Sequence, residues 1–219
     1  MSNMDGEKAQ HLADHASRRG WDYLRLDMSG HGRSEGRFEH GTMGQWRQDT
    51  LLALDQVARK PVILVGSSIG GWLALLAALD RPSQVAGLLL IAPAPDMTRR
   101  VAWNLPAEAH AALQKHGVWL RPSLYGAPIP VTRRMLDDGE FHCLLDAPIE
   151  LSCPIRILHG QQDADVPWQG SLTLAGQLQS PDVQVTLLKH GNHRLSRPDE
   201  LSLMTRTLDS LRKTVVESS

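Results

Sequence analysis

The sequence predicts an α/β fold in which a mostly parallel sheet is flanked by helices. Short apolar runs alternate with amphipathic helical patterns, and this alternation is typical of strands joined by crossover helices. The length of 219 residues, with 42% hydrophobic residues, suits one compact domain with a substantial core. We therefore expect residues 1–219 to form a single domain, with residues 95–150 inserted into it as a cap.

The composition argues against several classes of partner. A formal net charge of -1 provides no basic surface for nucleic acid or for an anionic membrane. No apolar run reaches the roughly 18 residues of a membrane-spanning helix, and residues 1–7 lack the basic and apolar regions of a secretion signal. We expect a soluble, cytoplasmic protein with no nucleic acid partner and no membrane span, and we leave its oligomeric state open.

The first predicted elements are a strand, a glycine-rich loop and a capped helix. Residues 23–27 predict a strand, and the glycines of residues 29–36 permit positive φ angles in a loop near the ligand-binding edge. Thr42 and Gln45 form a capping-box pattern at the start of a helix. The apolar face of that helix comprises Met43, Trp46, Leu51, Leu54 and Val57.

Four further strands and a final helix complete the predicted fold. The strands are expected at residues 62–65, 87–91, 155–159 and 183–188. The apolar residues that the final helix is expected to bury are Leu201, Met204, Leu208 and Leu211. Because ligands bind at the carboxyl ends of the strands in open α/β sheets, we expect the functional residues there.

Residues between Pro93 and Pro154 break this alternation. The segment is too long for a simple crossover and contains the pairs Arg99–Arg100 and Arg133–Arg134. We interpret residues 95–150 as a cap over the functional edge of the sheet. The arginine pairs are expected to be solvated surface pairs, with attraction of an anionic substrate as the alternative.

The most informative segment is residues 66–70, a Gly-x-Ser-x-Gly pattern that directly follows a β-branched run. Helix formers come next, and Arg81-Pro82 marks the end of the helix. A sharp strand-to-helix turn needs small residues, and we expect a Cβ at Gly66 or Gly70 to collide across it. Ser68 is therefore the candidate nucleophile, with a buried serine in a glycine-rich turn as the alternative.

A serine nucleophile needs an imidazole and a carboxylate that orients the imidazole. The loop after the strand at residues 155–159 offers Asp163 or Asp165, and we choose Asp163. The loop after the last strand offers His193, which we prefer to His190 because it lies past the turn. The chain order of serine, aspartate and histidine supports this choice.

Other reactive residue types have simpler explanations. Cys143 follows His142 and could be a thiol nucleophile, although a small buried apolar residue is favoured. Cys143 and Cys153 are expected to be reduced thiols. His11 and His15 have the i, i+4 spacing of metal ligands, but no third ligand is obvious and a solvated face is favoured. We expect no metal and no cofactor.

Together these motifs resemble the α/β-hydrolase superfamily. One branch, the mitochondrial abhydrolase-domain acyl-protein thioesterases and their bacterial relatives, is resembled at residues 25–32, 66–73, 142–145, 153–156 and 190–194. Members of this branch are described as palmitoyl-protein thioesterases and as esterases of acyl glucuronides. The resemblance implies acyl-ester or acyl-thioester hydrolysis without a metal. The triad that it implies is Ser68, Asp163 and His193.

The amino terminus departs from the pattern of this family. Related enzymes begin with one or more strands, of which the last is central and ends in a glycine-aromatic turn that supplies one oxyanion-hole N–H. This chain resembles only the region after that turn, so we expect the central strand to be missing and the chain to be truncated or to start late. The expected oxyanion donors are the backbone N–H of Ile69 and that of Ser2 or Met1, with loss of the second donor as the alternative.

The sequence therefore predicts a serine hydrolase that cleaves acyl esters or thioesters, on a small molecule or an acylated protein, through an acyl-enzyme. In such a mechanism the histidine deprotonates the serine while the aspartate holds the imidazole and stabilises its charged form. A carboxylesterase acting on small esters or acyl glucuronides is one alternative. A non-catalytic ligand-binding scaffold is another.

Overall fold

The computed structural model describes residues 3–57, 60–123 and 126–217, apart from the side chain of Val57. Within these ranges the main sheet has four parallel strands in the order β1-β2-β5-β6, and a second sheet pairs β3 with β4 in antiparallel fashion. The strands are β1 (Val62–Ser67), β2 (Val85–Ile91), β3 (Val118–Arg121), β4 (Ile129–Thr132), β5 (Ile155–Gly160) and β6 (Val183–Leu188).

Helices connect the parallel strands and cover the sheet. They are α1 (Glu7–Arg18), α2 (Met43–Val57), α3 (Ile69–Asp80), α4 (Met97–Trp103), α5 (Ala107–His116), α6 (Arg133–Glu140), α7 (Gln169–Gln177) and α8 (Pro198–Glu217), with a short 3-10 helix at Phe38–His40. None of the helices in the described ranges is long and apolar enough to cross a membrane.

The core lies on both faces of the parallel sheet. In β2, Leu88 and Leu90 pack on one face while Leu89 and Ile91 pack on the other, because side chains alternate along a strand. The first face is covered by residues of α2, α3 and α7, and the second by α1 and α8. Because apolar layers cover both faces of the sheet, polar site residues are accommodated at the strand ends.

Most of the predicted elements are confirmed. Each of the four strands predicted from residue 62 onward is present, with its ends within two residues of the prediction. The Thr42 hydroxyl accepts a hydrogen bond of 3.2 Å from the Gln45 N–H, as expected for a helix N-cap. The predicted apolar residues of α8 are buried, as are those of α2 whose side chains are described.

The predicted strand at residues 23–27 is wrong. These residues belong to no strand, and Leu24 is 52% exposed. A strand needs ladder hydrogen bonds from a neighbour, and in the described part of the chain β1 is the edge strand, paired with β2 alone. Contacts with the preceding loop hold the segment instead: Arg25 donates to the Met4 carbonyl at 2.8 Å, and the Met4 N–H donates to Asp27 at 2.6 Å.

The first and last helices are tied together at the surface. Asp209 of α8 lies 2.7 Å from His15 Nε2 and 2.7 Å from Nη2 of Arg19, which follows α1. The side chain of His15 is only 12% exposed and its ring also contacts Trp21, so the favoured interpretation of a solvated face is wrong for this residue: a carboxylate and an aromatic ring, rather than water, surround the imidazole. Leu12, three residues before His15, and Ala16, which follows it, are buried.

The segment between β2 and β5 contains α4, α5, the β3–β4 pair and α6. Its arginines do not behave alike. Arg133 and Arg134 are exposed, as predicted. Arg99 is only 16% exposed and donates to Glu140 and Asp146, so it is an ion-paired residue rather than a solvated one. The interpretation of residues 95–150 as a cap stays a prediction, supported by the contact of Arg121 with the loop after β5.

Candidate active site

Ser68 occupies the sharp turn between β1 and α3. Its φ of 56° and ψ of -119° lie in a region that non-glycine residues rarely adopt, and such strain is typical of functional turns. Three backbone hydrogen bonds hold it there: its N–H donates to the Ile91 carbonyl at 2.9 Å, and its own carbonyl accepts from the N–H groups of Gly71 and Ala94 at 2.9 and 3.1 Å. The turn therefore presents Ser68 at the carboxyl edge of the sheet.

The glycines around Ser68 have unequal roles. A Cβ at Gly66 would lie 2.2 Å from the Gly70 carbonyl oxygen, which confirms the predicted collision. At Gly70 nothing lies within 4 Å of the added Cβ, so the prediction for that residue is wrong. The Cβ position of Gly70 faces open space. Gly71 is the glycine that packs closely, because a Cβ added there would lie 2.9 Å from Pro93 Cβ.

Ile69 is the first residue of α3. The N–H groups of the first helical turn have no acceptor within the helix, and they face negative charge favourably. The backbone N–H of Ile69 is thus suited to an oxyanion beside Ser68. The other predicted donors, Ser2 and Met1, lie outside the described residues.

Asp163 is held by four hydrogen-bond donors in the loop after β5. Its side chain is fully buried. Oδ1 accepts from the N–H groups of Asp165 and Val166 at 2.9 and 2.8 Å. Oδ2 accepts from His193 Nδ1 at 2.7 Å and from His159 Nε2 at 3.2 Å. The structure therefore brings together the predicted acid and the predicted histidine.

These contacts keep Asp163 ionised. Burial by itself raises the pKa of this carboxyl, but the hydrogen bonds from His159, His193 and the Val166 N–H outweigh burial and hold the pKa well below its usual range. An ionised carboxylate at His193 Nδ1 fixes the tautomer in which Nε2 is the proton acceptor. Asp163 is therefore suited to orient a general base.

His159 is a residue of the candidate site that sequence reasoning missed. It lies in β5 and is fully buried, with its Nδ1 2.7 Å from the hydroxyl of Ser171 and its Nε2 3.1 Å from the Val166 carbonyl as well as near Asp163. A histidine inside an otherwise apolar buried strand must find hydrogen-bond partners. Its spacing of four residues before Asp163 was the available signal.

The choice of His193 over His190 agrees with the geometry. His190 is exposed, and its ring nitrogen lies 3.4 Å from the Gln162 amide. His193 is 19% exposed and is oriented by Asp163. Because β1, β5 and β6 are parallel, Ser68 lies at the same edge, with β1 and β5 about two interstrand spacings, or 10 Å, apart.

A second carboxylate lies beside this pair. Ligand atoms of Asp163, Asp165 and His193 lie within 4.8 Å of one another, which is a possible metal-binding arrangement. The 2.7 Å separation of Asp163 and His193 is that of a direct hydrogen bond, with no room for an ion between these two atoms. We therefore interpret the cluster as an acid and a base, with Asp165 next to them.

Cys143 and Cys153 are free thiols, as predicted. Burial raises the pKa of Cys143 to about 12, and the nearby carboxylate of Asp96 acts in the same direction. A thiol that stays protonated at neutral pH is a poor nucleophile. The alternative of a cysteine nucleophile beside His142 is therefore disfavoured.

Known proteins share both the sequence and the fold. A family model described as serine aminopeptidase, S33, matches residues 3–140. The palmitoyl-protein thioesterase ABHD10, mitochondrial, of Mus musculus is 42% identical over 96% of this chain and 72% of its own length, and that of Homo sapiens is 40% identical over 96% and 70%.

Solved structures agree with the sequence matches. A protein of Agrobacterium vitis S4 assigned as a hydrolase is 38% identical, with a TM-score of 0.93 over 96% of this chain and 84% of that one. The alpha/beta hydrolase domain-containing protein 10 from mouse is 41% identical, with a TM-score of 0.89 over 98% and 86%. The chain therefore belongs to the α/β-hydrolase family that includes these thioesterases, and it is a hydrolase.

Proposed function

We propose that this hydrolase cleaves acyl thioesters and esters through a catalytic triad of Ser68, His193 and Asp163. The single observation that carries the proposal is the 2.7 Å hydrogen bond between His193 Nδ1 and the buried, ionised Asp163. The strained position of Ser68 at the same sheet edge supports it. This combination of nucleophile, base and orienting acid defines acyl transfer by serine.

In the proposed mechanism, His193 Nε2 takes the hydroxyl proton of Ser68 while Oγ attacks the substrate carbonyl. Negative charge then develops on the carbonyl oxygen, where the Ile69 N–H stabilises it together with the predicted second donor, Ser2 or Met1. The leaving thiolate or alkoxide receives the proton from His193, and an acyl-enzyme remains. Water deprotonated by His193 attacks this ester and releases the acid and Ser68.

Thioesters are the substrate class that we favour. A thiolate leaves more readily than an alkoxide, so less stabilisation of the oxyanion is needed. The relatives from mouse and human are named palmitoyl-protein thioesterases, which supports an acylated protein as one substrate. Their names place those proteins in mitochondria. A cytoplasmic location for this chain stays a prediction.

Two alternatives remain distinguishable from this proposal. A carboxylesterase would prefer small esters or acyl glucuronides, whereas a non-catalytic scaffold would bind a ligand without turnover. The orientation of His193 by Asp163 favours turnover over simple binding.

Paired S-acyl and O-acyl substrates, each with a short and a long chain, test the proposal. We expect hydrolysis with a higher kcat/KM for thioesters, and a loss of about 10⁴-fold or more in Ser68→Ala. A fluorophosphonate probe should label Ser68 and not the variant. A preference for esters would support the carboxylesterase, and a folded protein that neither turns over nor becomes labelled would support the scaffold.

A further inference from the structure

Two arginines of the segment between β2 and β5 interact with the loop that carries Asp163, one by direct contact and the other through the charges of the loop. Arg121, at the end of β3, has its Nη2 3.6 Å from Asp165 Oδ1. The Asp165 carboxylate itself lies within 4.8 Å of ligand atoms of Asp163 and His193. The side chain of Asp165 thus lies between the Arg121 guanidinium and the His193 imidazole.

Arg100 of α4 is the second arginine, and its side chain is incompletely paired. In the part of the chain that the structure describes, its Nη2 is buried and has no hydrogen-bond partner. Burial lowers the pKa of Arg100, as does the charge of Arg121, while the carboxylates of Asp163 and Asp165 raise it. The Arg100 guanidinium therefore lies in the electrostatic field of Arg121, Asp163 and Asp165, the charged residues beside His193.

Neither of these carboxylates offers Arg100 a ready acceptor. Both oxygens of Asp163 already accept hydrogen bonds, two apiece, and Asp165 faces Arg121. A buried guanidinium N–H without an acceptor is unfavourable, because it has lost water and gained nothing in exchange. Its sequence neighbour Arg99 has no such deficit, since it pairs with Glu140.

We propose that Arg100 and Arg121 form an anion subsite that binds a carboxylate or phosphate group of the substrate beside the catalytic residues. The planar guanidinium fork matches either group, and an anion would supply the acceptor that Arg100 Nη2 lacks. The inference rests on the proposed function and narrows its substrates to esters or thioesters that carry an anionic group near the scissile carbonyl.

Matched substrates test the subsite. One series places the charge on the leaving group: 4-butanoyloxybenzamide is neutral, 4-butanoyloxybenzoate carries a carboxylate and 4-butanoyloxyphenyl phosphate carries a phosphate. A second pair places it on the acyl chain: 4-nitrophenyl hemiglutarate and neutral 4-nitrophenyl pentanoate. For each substrate the ratio of kcat/KM between wild type and variant is taken, so that intrinsic reactivity cancels.

The variants are Arg100→Gln, Arg100→Lys and the exposed control Arg133→Gln. In Arg100→Gln we expect kcat/KM to fall about 10- to 100-fold for anionic substrates of at least one series, mainly through KM. Neutral substrates should change less than about 2-fold, Arg100→Lys should recover part of the loss, and the control should resemble wild type. The two charged leaving groups show whether a carboxylate or a phosphate is preferred.

Equal losses for neutral and anionic substrates in Arg100→Gln would overturn the subsite, as would no loss for any of them. If wild type cleaves none of these esters, binding decides the subsite, and the proposed function fails only if the S-acyl substrates of its own test are not cleaved either. Thermal stabilisation by 4-hydroxybenzoate or phenyl phosphate, but not by 4-hydroxybenzamide, and its loss in Arg100→Gln would support it. Without any such stabilisation the subsite is overturned too.

Discussion

The two halves of the candidate site are held in different ways. Asp163 and His193 are fixed by side-chain hydrogen bonds in the loops after β5 and β6, whereas Ser68 is fixed by backbone hydrogen bonds and a positive φ. The first half depends on charge, and the second depends on the space around the backbone. Substitutions in the two halves should therefore separate into losses of rate and losses of stability.

The largest effect is expected from the charged half. In Asp163→Asn the carboxylate is lost, so the imidazole is neither held in the productive tautomer nor stabilised when protonated, and kcat should fall about 10⁴-fold. The matched control is Asp165→Asn, which should lose less than about 10-fold because Asp165 does not accept the bond from His193. The measurement is kcat with a thioester substrate, with circular dichroism to verify folding. Equal losses in both variants would argue that Asp163 does not orient the base.

The turn around Ser68 should respond through stability. In Gly66→Ala the new Cβ meets the Gly70 carbonyl oxygen at 2.2 Å, so the free energy of unfolding should fall by about 3 kcal/mol or more. Gly70→Ala is the control, since its Cβ meets nothing within 4 Å and alanine favours a helix by up to about 1 kcal/mol. Urea denaturation of both variants measures the difference. If Gly66→Ala proved as stable as Gly70→Ala, the turn would be less tightly constrained than its geometry indicates.

Cys143 should give the smallest effect, because it belongs to neither half. With a pKa raised to about 12 by burial, its thiol should react with iodoacetamide at pH 8 far more slowly than a free cysteine does. Activity in Cys143→Ala should stay within about 2-fold of wild type, since substitutions away from special features change little. Mass spectrometry of the alkylated protein and an esterase assay test these two points. Rapid alkylation of Cys143 together with lost activity in Cys143→Ala would instead support this thiol as a nucleophile.

The sequence predicted the features that depend on local patterns. The four parallel strands, the turn at Ser68 and the order of Asp163 and His193 all follow from periodicity, glycine placement and loop position. The strand expected at residues 23–27 was wrong because a strand exists only with a partner, and a partner cannot be seen in a local pattern.

Two other features could not be predicted from the sequence, each for a different reason. The loop after β5 folds back on its own strand, so the contact of His159 with Asp163 is visible only in three dimensions. Arg99 and Arg100 looked alike as an exposed pair, but consecutive helical residues point about 100° apart. Arg99 therefore pairs with Glu140, while Arg100 is buried and is influenced by the charges of Asp163 and Asp165.

The contacts between α1 and α8 affect the order in which the chain folds during and after synthesis on the ribosome. The buried side of α1 rests partly on α8, and Asp209 of α8 engages His15 and Arg19. The ribosome synthesises α1 and the whole intervening chain before α8. The buried side of α1 therefore cannot pack until α8 has emerged from the exit tunnel. Closing so long a loop is entropically costly and slows acquisition of the native state. Docking of α1 should thus be a late event in folding, and until then its apolar residues should be accessible to chaperones.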